Sequence, residues 1–212
     1  MSKGFAAKCV RIELVYAALI LQAVFLLTAF VLRTVLHARR TGSIGLRVGS
    51  GKRTPAQILG AGGITVAAIG SVVGVVLDLA GSSGFPPLDS VAIGLAGCLA
   101  ALLGIVVVLR GQADMGASWR IGVDPSERTH LVTIGVFRWT RNPIFLGMLL
   151  FWSGIGLMTP NVVTIASAIV ALAAIEVQIR RVEEPYLLTA HGDVYRRYAS
   201  KTGRLMPWLG RL

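Results

Sequence analysis

The sequence predicts an all-α integral membrane protein: about five transmembrane helices in a single membrane domain, the last two forming a C-terminal helical hairpin. Three observations predict it. Apolar residues make up 54% of the 212 residues, and mean hydropathy is +0.71. Charged residues make up 15%, against about 25% in a typical soluble domain. The charges are also segregated: from Thr54 to Leu109 there is no Lys or Arg, and Asp78 and Asp89 are the only acids. Such a stretch could not keep a soluble surface hydrated, and it fits lipid as its solvent.

A bilayer core takes about 20 apolar residues of helix to cross. The runs Leu14–Leu36, Ala56–Leu79 and Val91–Leu109 supply three N-terminal spans, all within residues 1–109. A shorter run, Pro143–Met158, and a final one, Val162–Val182, follow in residues 110–212. Only Thr159-Pro160-Asn161 separates these two, so they turn back on each other as a hairpin. Placing the first loop, Arg33 to Pro55, in the cytoplasm puts eighteen of the 21 basic residues there. This positive-inside arrangement leaves the N-terminus outside and the C-terminus inside. A first apolar run of this length, with no small-x-small site after it, is not read as a cleavable signal.

The net charge of +11 would suggest nucleic acid in a soluble protein. Here the basic residues flank apolar spans and meet anionic headgroups instead, so the expected partners are membrane lipids and no nucleic acid. Cys9 and Cys98 are too differently placed to suggest a structural disulfide, and no His/Cys spacing suggests a metal. Gly70 and Gly74 form a G-x-x-x-G pair in the second span, with Gly60, Gly62 and Gly63 at its start. In an apolar helix this pattern predicts close helix packing. The stretch GLRVGSGKR, from Gly45 to Arg53, fails as a phosphate loop: five residues separate its glycines, and Arg53 stands where Ser or Thr is needed.

The chemistry is expected between Arg110 and Pro143 and near the end of the last span. The first is a connection of more than thirty residues holding Trp119, Phe137 and Trp139, and loops of that length are usually functional or disordered. Asn142-Pro143 reads as a helix start, with Asn capping free N–H groups and Pro in the first turn. Arg138 and Arg141 just before it, with the positive end of the helix, suit an anion; headgroup anchoring explains the two arginines as well. Counted back from the hairpin turn, Gln178 comes level with Pro143. The helix extension beyond it carries Glu176, Arg180, Arg181, Glu183 and Glu184. Glu176–Arg180 and Arg180–Glu184 have the spacing of ordinary helical ion pairs. Tyr195 and Tyr198 suit either an interfacial anchor or a stack on an adenine. His130 and His191 are isolated.

These stretches together resemble a known family. LVTIGVFRWTRNPIFLG, from Leu131 to Gly147, is similar to the LVTTGPYRYVRHPMYLG type of motif in membrane methyltransferases related to isoprenylcysteine carboxyl methyltransferase and the phospholipid methyltransferases. EEPYLLTAHGDVYRRY, from Glu183 to Tyr198, resembles the same family's EExxL…FGxxYxxY motif. MGASWRIG and GRLMP resemble the flanking stretches, so that the likeness runs from about Arg110 to Pro207. Asn142 replaces the usual His, Phe145 the usual Tyr, and Ala190-His191 the usual aromatic residue; Pro185 follows the two acids, where it is expected to end the helix.

The resemblance implies an S-adenosyl-L-methionine site in cytoplasmic segments and a lipophilic acceptor entering from the bilayer. It implies cofactor contacts from Leu131, Val132, Thr133, Gly135, Arg141, Asn142, Pro143, Gly147, Glu184, Tyr195 and Tyr198. Methyl transfer from a sulfonium needs alignment rather than a metal. A carboxylate acceptor would be held by Arg180 or Arg181, and an amine acceptor would need Glu183 or Glu184 as base. The region's excess of arginine over glutamate favours a carboxylate on a prenyl- or acyl-type lipid. Two further readings stay open: an NADPH-dependent membrane sterol or isoprenoid reductase, which shares an RxxNY-like helix start, and a non-catalytic membrane binding or transport protein.

Overall fold

The computed structural model describes residues 3–42, 44, 53–81, 88, 90–119 and 130–211. Most of the Gly45–Arg53 stretch and of the loop following Leu79 lies outside these residues.

Among the described residues, seven α-helices carry the fold. Helix α1 (Lys3–Leu26) passes through a π turn at Leu27–Leu32 into α2 (Arg33–Thr41), which stops at Gly42 in the left-handed conformation (φ 73). Helix α3 (Pro55–Leu79) starts on a capping box, in which the Thr54 hydroxyl accepts from the Gln57 amide and the Gln57 side chain from Thr54 N–H. Helix α4 (Val91–Met115) is capped by Ser90. Then come α5 (Pro143–Met158), α6 (Val162–Gln178), a second π turn at Ile179–Glu183, and α7 (Glu184–Lys201), kinked at Gly192.

Among the described residues, four continuous helical stretches are long and apolar enough to cross a bilayer: Cys9–Thr41, Pro55–Leu79, Val91–Met115 and Val162–Lys201. The predicted fourth span is shorter. Helix α5 has 16 residues, or about 24 Å at 1.5 Å per residue, against a hydrocarbon core of about 30 Å. The charged helix α7 follows the apolar part of the last stretch. Outward-facing Ile20, Leu59, Leu99 and Ile169 are 63%, 65%, 69% and 63% exposed, as expected of lipid-facing surface. The molecule is an integral membrane protein.

Two glycine faces set the packing. Along α3, a Cβ on Gly60, Gly63, Gly70 or Gly74 would strike Gln178, Ala174, Ser167 or Thr164 of α6. The expected close contact is therefore present and extends over the whole helix, although Gly62 faces open space. The second face was not anticipated. Gly97, Gly104 and Gly111 recur every seven residues, two helical turns, on one side of α4. Gly97 lies against the backbone of Gly154, Gly104 against that of Gly147, and Gly111 against the side chains of Pro143 and Ile144. Glycine faces glycine at the first two crossings, so the α4 and α5 backbones approach closely there, which fixes the start of α5 beside the end of α4.

Polar contacts tie α1 to this frame. Gln22 donates to the Ser71 carbonyl at 3.3 Å, Gln112 to the Ala29 carbonyl at 2.7 Å, and Arg11 pairs with Asp78 at 3.3 Å. Asn161 caps α6 through the amides of Val163 and Thr164 and also donates to the Gly74 carbonyl at 2.8 Å, locking the hairpin turn to α3.

Two sequence expectations change. Helix α4 runs six residues past Leu109, so the stretch from Arg110 to Met115 is helical. Pro185 does not end the last helix. The π turn lies just before it, with Glu184 N–H bonding to the Ile179 carbonyl five residues back. The wider turn relieves the ladder where the proline ring has no N–H to give.

Candidate functional site

The two motif-bearing segments meet where α5 begins. Residues Thr140 and Gly203 form a parallel bridge, and Arg141 N–H donates to the Gly203 carbonyl at 2.9 Å. The Arg204 carbonyl accepts from the Thr140 hydroxyl at 3.0 Å and from Asn142 Nδ2 at 2.9 Å. The tail after α7 thus folds back along RWTRNP. It closes on itself through Arg204 N–H to the Leu209 carbonyl at 2.8 Å, with Trp208 at φ 67.

Arg141 is the centre of this fold-back. Its side chain is 1% exposed. Nη1 donates to the carbonyls of Ala199 and Thr202 at 2.9 and 2.7 Å, and Nη2 to the Gly210 carbonyl at 3.0 Å and to Glu184 Oε1 at 2.5 Å. Glu184 is held a second time by Arg204, with Nε on Oε1 and Nη2 on Oε2, both at 2.9 Å. This two-point pairing is the strong form of an Arg–carboxylate contact. Burial pushes the Glu184 carboxyl up, but hydrogen bonds from Arg204 and Arg141 outweigh it and hold the group below the usual carboxylate range. The same pairing raises the Arg204 guanidinium.

Asn142 does not cap α5. Its side chain turns to the Arg204 carbonyl and makes no hydrogen bond to the helix. Pro143 has no N–H, so among the described residues Ile144 and Phe145 N–H remain at an uncapped, positive helix end. The stretch ahead of this end is shaped by Asp114, near the end of α4, which the sequence reading missed. Asp114 accepts from Val136 N–H at 2.8 Å. Gly135 sits at φ 59 with the same carboxylate where a Cβ would be, so both its conformation and the space demand glycine. Leu131, Val132 and Thr133 lead into this turn, partly buried.

The other expected residues are placed as follows. Gly147 lies in the α4–α5 contact, where the structure gives it a packing role. Tyr195 is 1% exposed, a core position rather than an open stacking face, and its ring meets Tyr198 edge-on at 6.2 Å. The Tyr198 hydroxyl donates to the Phe137 carbonyl at 2.6 Å, bracing α7 against the turn before α5. Burial pushes the Tyr195 hydroxyl up to about 12 and the Tyr198 hydroxyl higher still. Arg180 pairs with Glu176 on the surface, as expected, whereas the Arg180–Glu184 pair does not form because Glu184 faces inward to Arg141 and Arg204. Arg138 and Arg181 are exposed. Glu183 is half-buried and accepts from Gln178 at 3.4 Å. Arg204 was not among the expected residues; its only signal was its place in GRLMP.

A polytopic helical membrane protein, with two motif-bearing segments closed over one helix start by a buried arginine–glutamate network, is the class these features define. Residues 93–194 match a family model described as phospholipid methyltransferase. The chain is 32% identical over 136 residues to the protein-S-isoprenylcysteine O-methyltransferase of Saccharomyces cerevisiae, across 59% of this chain and 56% of the yeast protein. It therefore spans little more than half the length of that relative. A solved structure of the eukaryotic intramembrane Ras methyltransferase, isoprenylcysteine carboxyl methyltransferase, superposes with a TM-score of 0.70 at 21% identity, over 95% of this chain and 68% of that one. The fold is shared with that enzyme, and the resemblance read from the two motifs is borne out.

Proposed function

We propose that the chain is a membrane methyltransferase using S-adenosyl-L-methionine, with a lipophilic carboxylic acid as acceptor. The observation that carries this reading is the Arg141–Glu184–Arg204 network. It draws together the two segments similar to the methyltransferase motifs, around a helix end whose first N–H groups are uncapped.

The residues present suit the cofactor. Free N–H groups at the start of α5 suit its carboxylate, and the Leu131–Gly135 turn, held by Asp114, supplies backbone groups beside that helix end. Arg141, Asn142, Pro143 and Glu184 shape and hold the site. Tyr195 and Tyr198 keep the α7 wall in place. When bound, the cofactor supplies a sulfonium-activated methyl group. The protein's task is alignment of donor and acceptor and exclusion of water. A carboxylate acceptor is ionised at neutral pH and needs no base. Arg180 and Arg181, exposed, and Glu183 meet the polar end of an incoming lipid, and the apolar helix faces accommodate its tail. The N-terminus and the loop between α3 and α4 face outside, and the site faces the cytoplasm.

The test is product chemistry. Protein in lipid nanodiscs is incubated with methyl-labelled S-adenosylmethionine and a membrane lipid extract or a synthetic S-prenylcysteine. Label released as methanol by mild base supports an ester. Base-stable label on a phospholipid amine would overturn the carboxylate acceptor.

A further inference from the structure

The tail that closes the site has an apolar outer side, and no part of the proposed mechanism uses it. Trp208 and Leu209 are 71% and 66% exposed, and Met206 beside them is exposed as well. Trp139, 65% exposed, stands on the segment with which the tail pairs, next to the Thr140–Gly203 bridge. Cations surround these residues. From Val194 to Arg211 the chain carries Arg196, Arg197, Lys201, Arg204 and Arg211 and no acid. Among the described residues Arg196 pairs with Asp193 and Arg204 with Glu184, whereas Arg138, Lys201 and Arg211 are exposed and form no ion pair.

Trp208 is also strained. It alone among the described non-glycine residues has a positive φ, at 67, a conformation unfavourable for a bulky side chain. The turn that holds it there is closed by Leu209 N–H on the Met206 carbonyl at 3.2 Å and Arg204 N–H on the Leu209 carbonyl at 2.8 Å. Packing within the chain does not offset the strain, since most of the ring is exposed. An indole is stabilised where its body meets acyl chains and its N–H meets headgroups, at a membrane–water interface.

The depth of the tail agrees with that setting. Gly111 of α4 touches Pro143. It stands about twenty residues along α4 from Val91, roughly 30 Å and one hydrocarbon thickness. Trp139 and the tail paired beside it, just ahead of Pro143, therefore lie at headgroup level.

We propose that this surface docks on the anionic leaflet in which the protein sits, and that docking holds the tail closed over the site. Trp208, Leu209 and Met206 enter the interface, and Arg138, Lys201 and Arg211 meet lipid phosphates. The inner side of the same tail gives the Thr202 and Gly210 carbonyls to Arg141 and the Arg204 guanidinium to Glu184. Whatever steadies the outer side steadies the network, so the charge of the leaflet regulates the site. The consequence for cofactor binding rests on the proposed function; the docking does not.

The test is hydrogen exchange of the Arg204 and Leu209 amides in the full chain, one chain per nanodisc. Discs of phosphatidylcholine are compared with discs of phosphatidylcholine mixed with phosphatidylglycerol. The wild type is expected to exchange at least about fivefold more slowly in the anionic discs, the effect of one basic residue at such a surface. K201Q/R211Q should bring the ratio close to one. W208N removes the ring and places there a residue that tolerates the left-handed conformation. Relief of strain alone would slow exchange, whereas loss of an anchor speeds it in both kinds of disc, and faster exchange is expected. Equal wild-type exchange in the two lipids, an unchanged ratio in K201Q/R211Q, or slower exchange in W208N overturns the proposal. Protection found only in discs holding two chains would assign the surface to a second copy and overturn it too. Failure of S-adenosylhomocysteine to bind in either disc would remove the methyltransferase reading and leave the exchange result to stand.

Discussion

Arg141 reaches across 43 positions of sequence to Glu184, at 2.5 Å and with its side chain 1% exposed. The contact joins the start of α5 to the start of α7, and Arg204 completes it from the tail. Breaking a buried pair by removing one partner leaves an uncompensated charge and costs about 3–5 kcal/mol. R141A and E184A are therefore expected to lower thermal stability markedly in detergent. R204A removes the more exposed partner and should be milder. R181A, at an exposed position, should leave the melting temperature within about 1 °C, since exposed charges contribute little. A scan ranking R181A with R141A would contradict this account of the network.

The same network gives a pH dependence. The Glu184 carboxyl is held below the usual carboxylate range, so its stabilising effect is fully present above that range and is lost as pH falls through the lowered value. Thermal stability should stay level from pH 8 to pH 5 where Glu184 is concerned and fall in stronger acid. E184Q should reduce the acid-dependent part of that fall. Differential scanning fluorimetry of the two proteins across pH checks it, and identical acid slopes would refute it.

The glycine faces predict a sharp positional contrast. A side chain at Gly104 or Gly147 would meet the partner helix's backbone, which cannot move aside as a flexible side chain can. G104V and G147V should therefore separate α4 from α5, displace the Pro143 helix start, and abolish ligand binding along with stability. G62A, facing open space within α3, should be neutral or slightly stabilising, because alanine favours helix over glycine by about 1 kcal/mol. Equal loss at Gly62 and Gly104 would show that the contact is not what matters.

Orientation is tested with reporter fusions at Ser83, which lies outside the described residues, and at the C-terminus. The account expects Ser83 outside and the C-terminus in the cytoplasm. The Arg11–Asp78 pair already puts the start of α1 and the end of α3 at one end of the molecule. Both reporters on one side would be incompatible with it.

Much of the fold was legible because lipid as solvent leaves a strong signal: long apolar runs, and charge confined to their ends. That α3 packs closely on another helix could be read from Gly70 and Gly74, since four residues return to one helix face; that the partner is α6 could not. The α4–α5 contact escaped because its glycines stand seven apart, the same face at twice the spacing. Arg141 and Glu184 could be singled out from their segments, and hairpin arithmetic brought those segments to one depth. That Glu184 turns inward, away from Arg180, could not be read, because the choice depends on Arg204 and on a tail whose path is set only by tertiary pairing. Asn142 shows the same limit: its preference for capping is real, but the Arg204 carbonyl competes for the same side chain and wins. Asp114 was hidden by a helix end placed where hydropathy drops, at Leu109, rather than where the backbone turns, at Gly116.

The most direct measurement is calorimetric titration of the purified protein in lipid nanodiscs with S-adenosylhomocysteine, the cofactor's product form. The account predicts saturable binding at one site per chain. Binding should be lost in R141A and retained in R181A once each is shown to be folded. No binding to the folded wild-type protein, or equal binding to folded R141A, would contradict the cofactor site proposed at the start of α5.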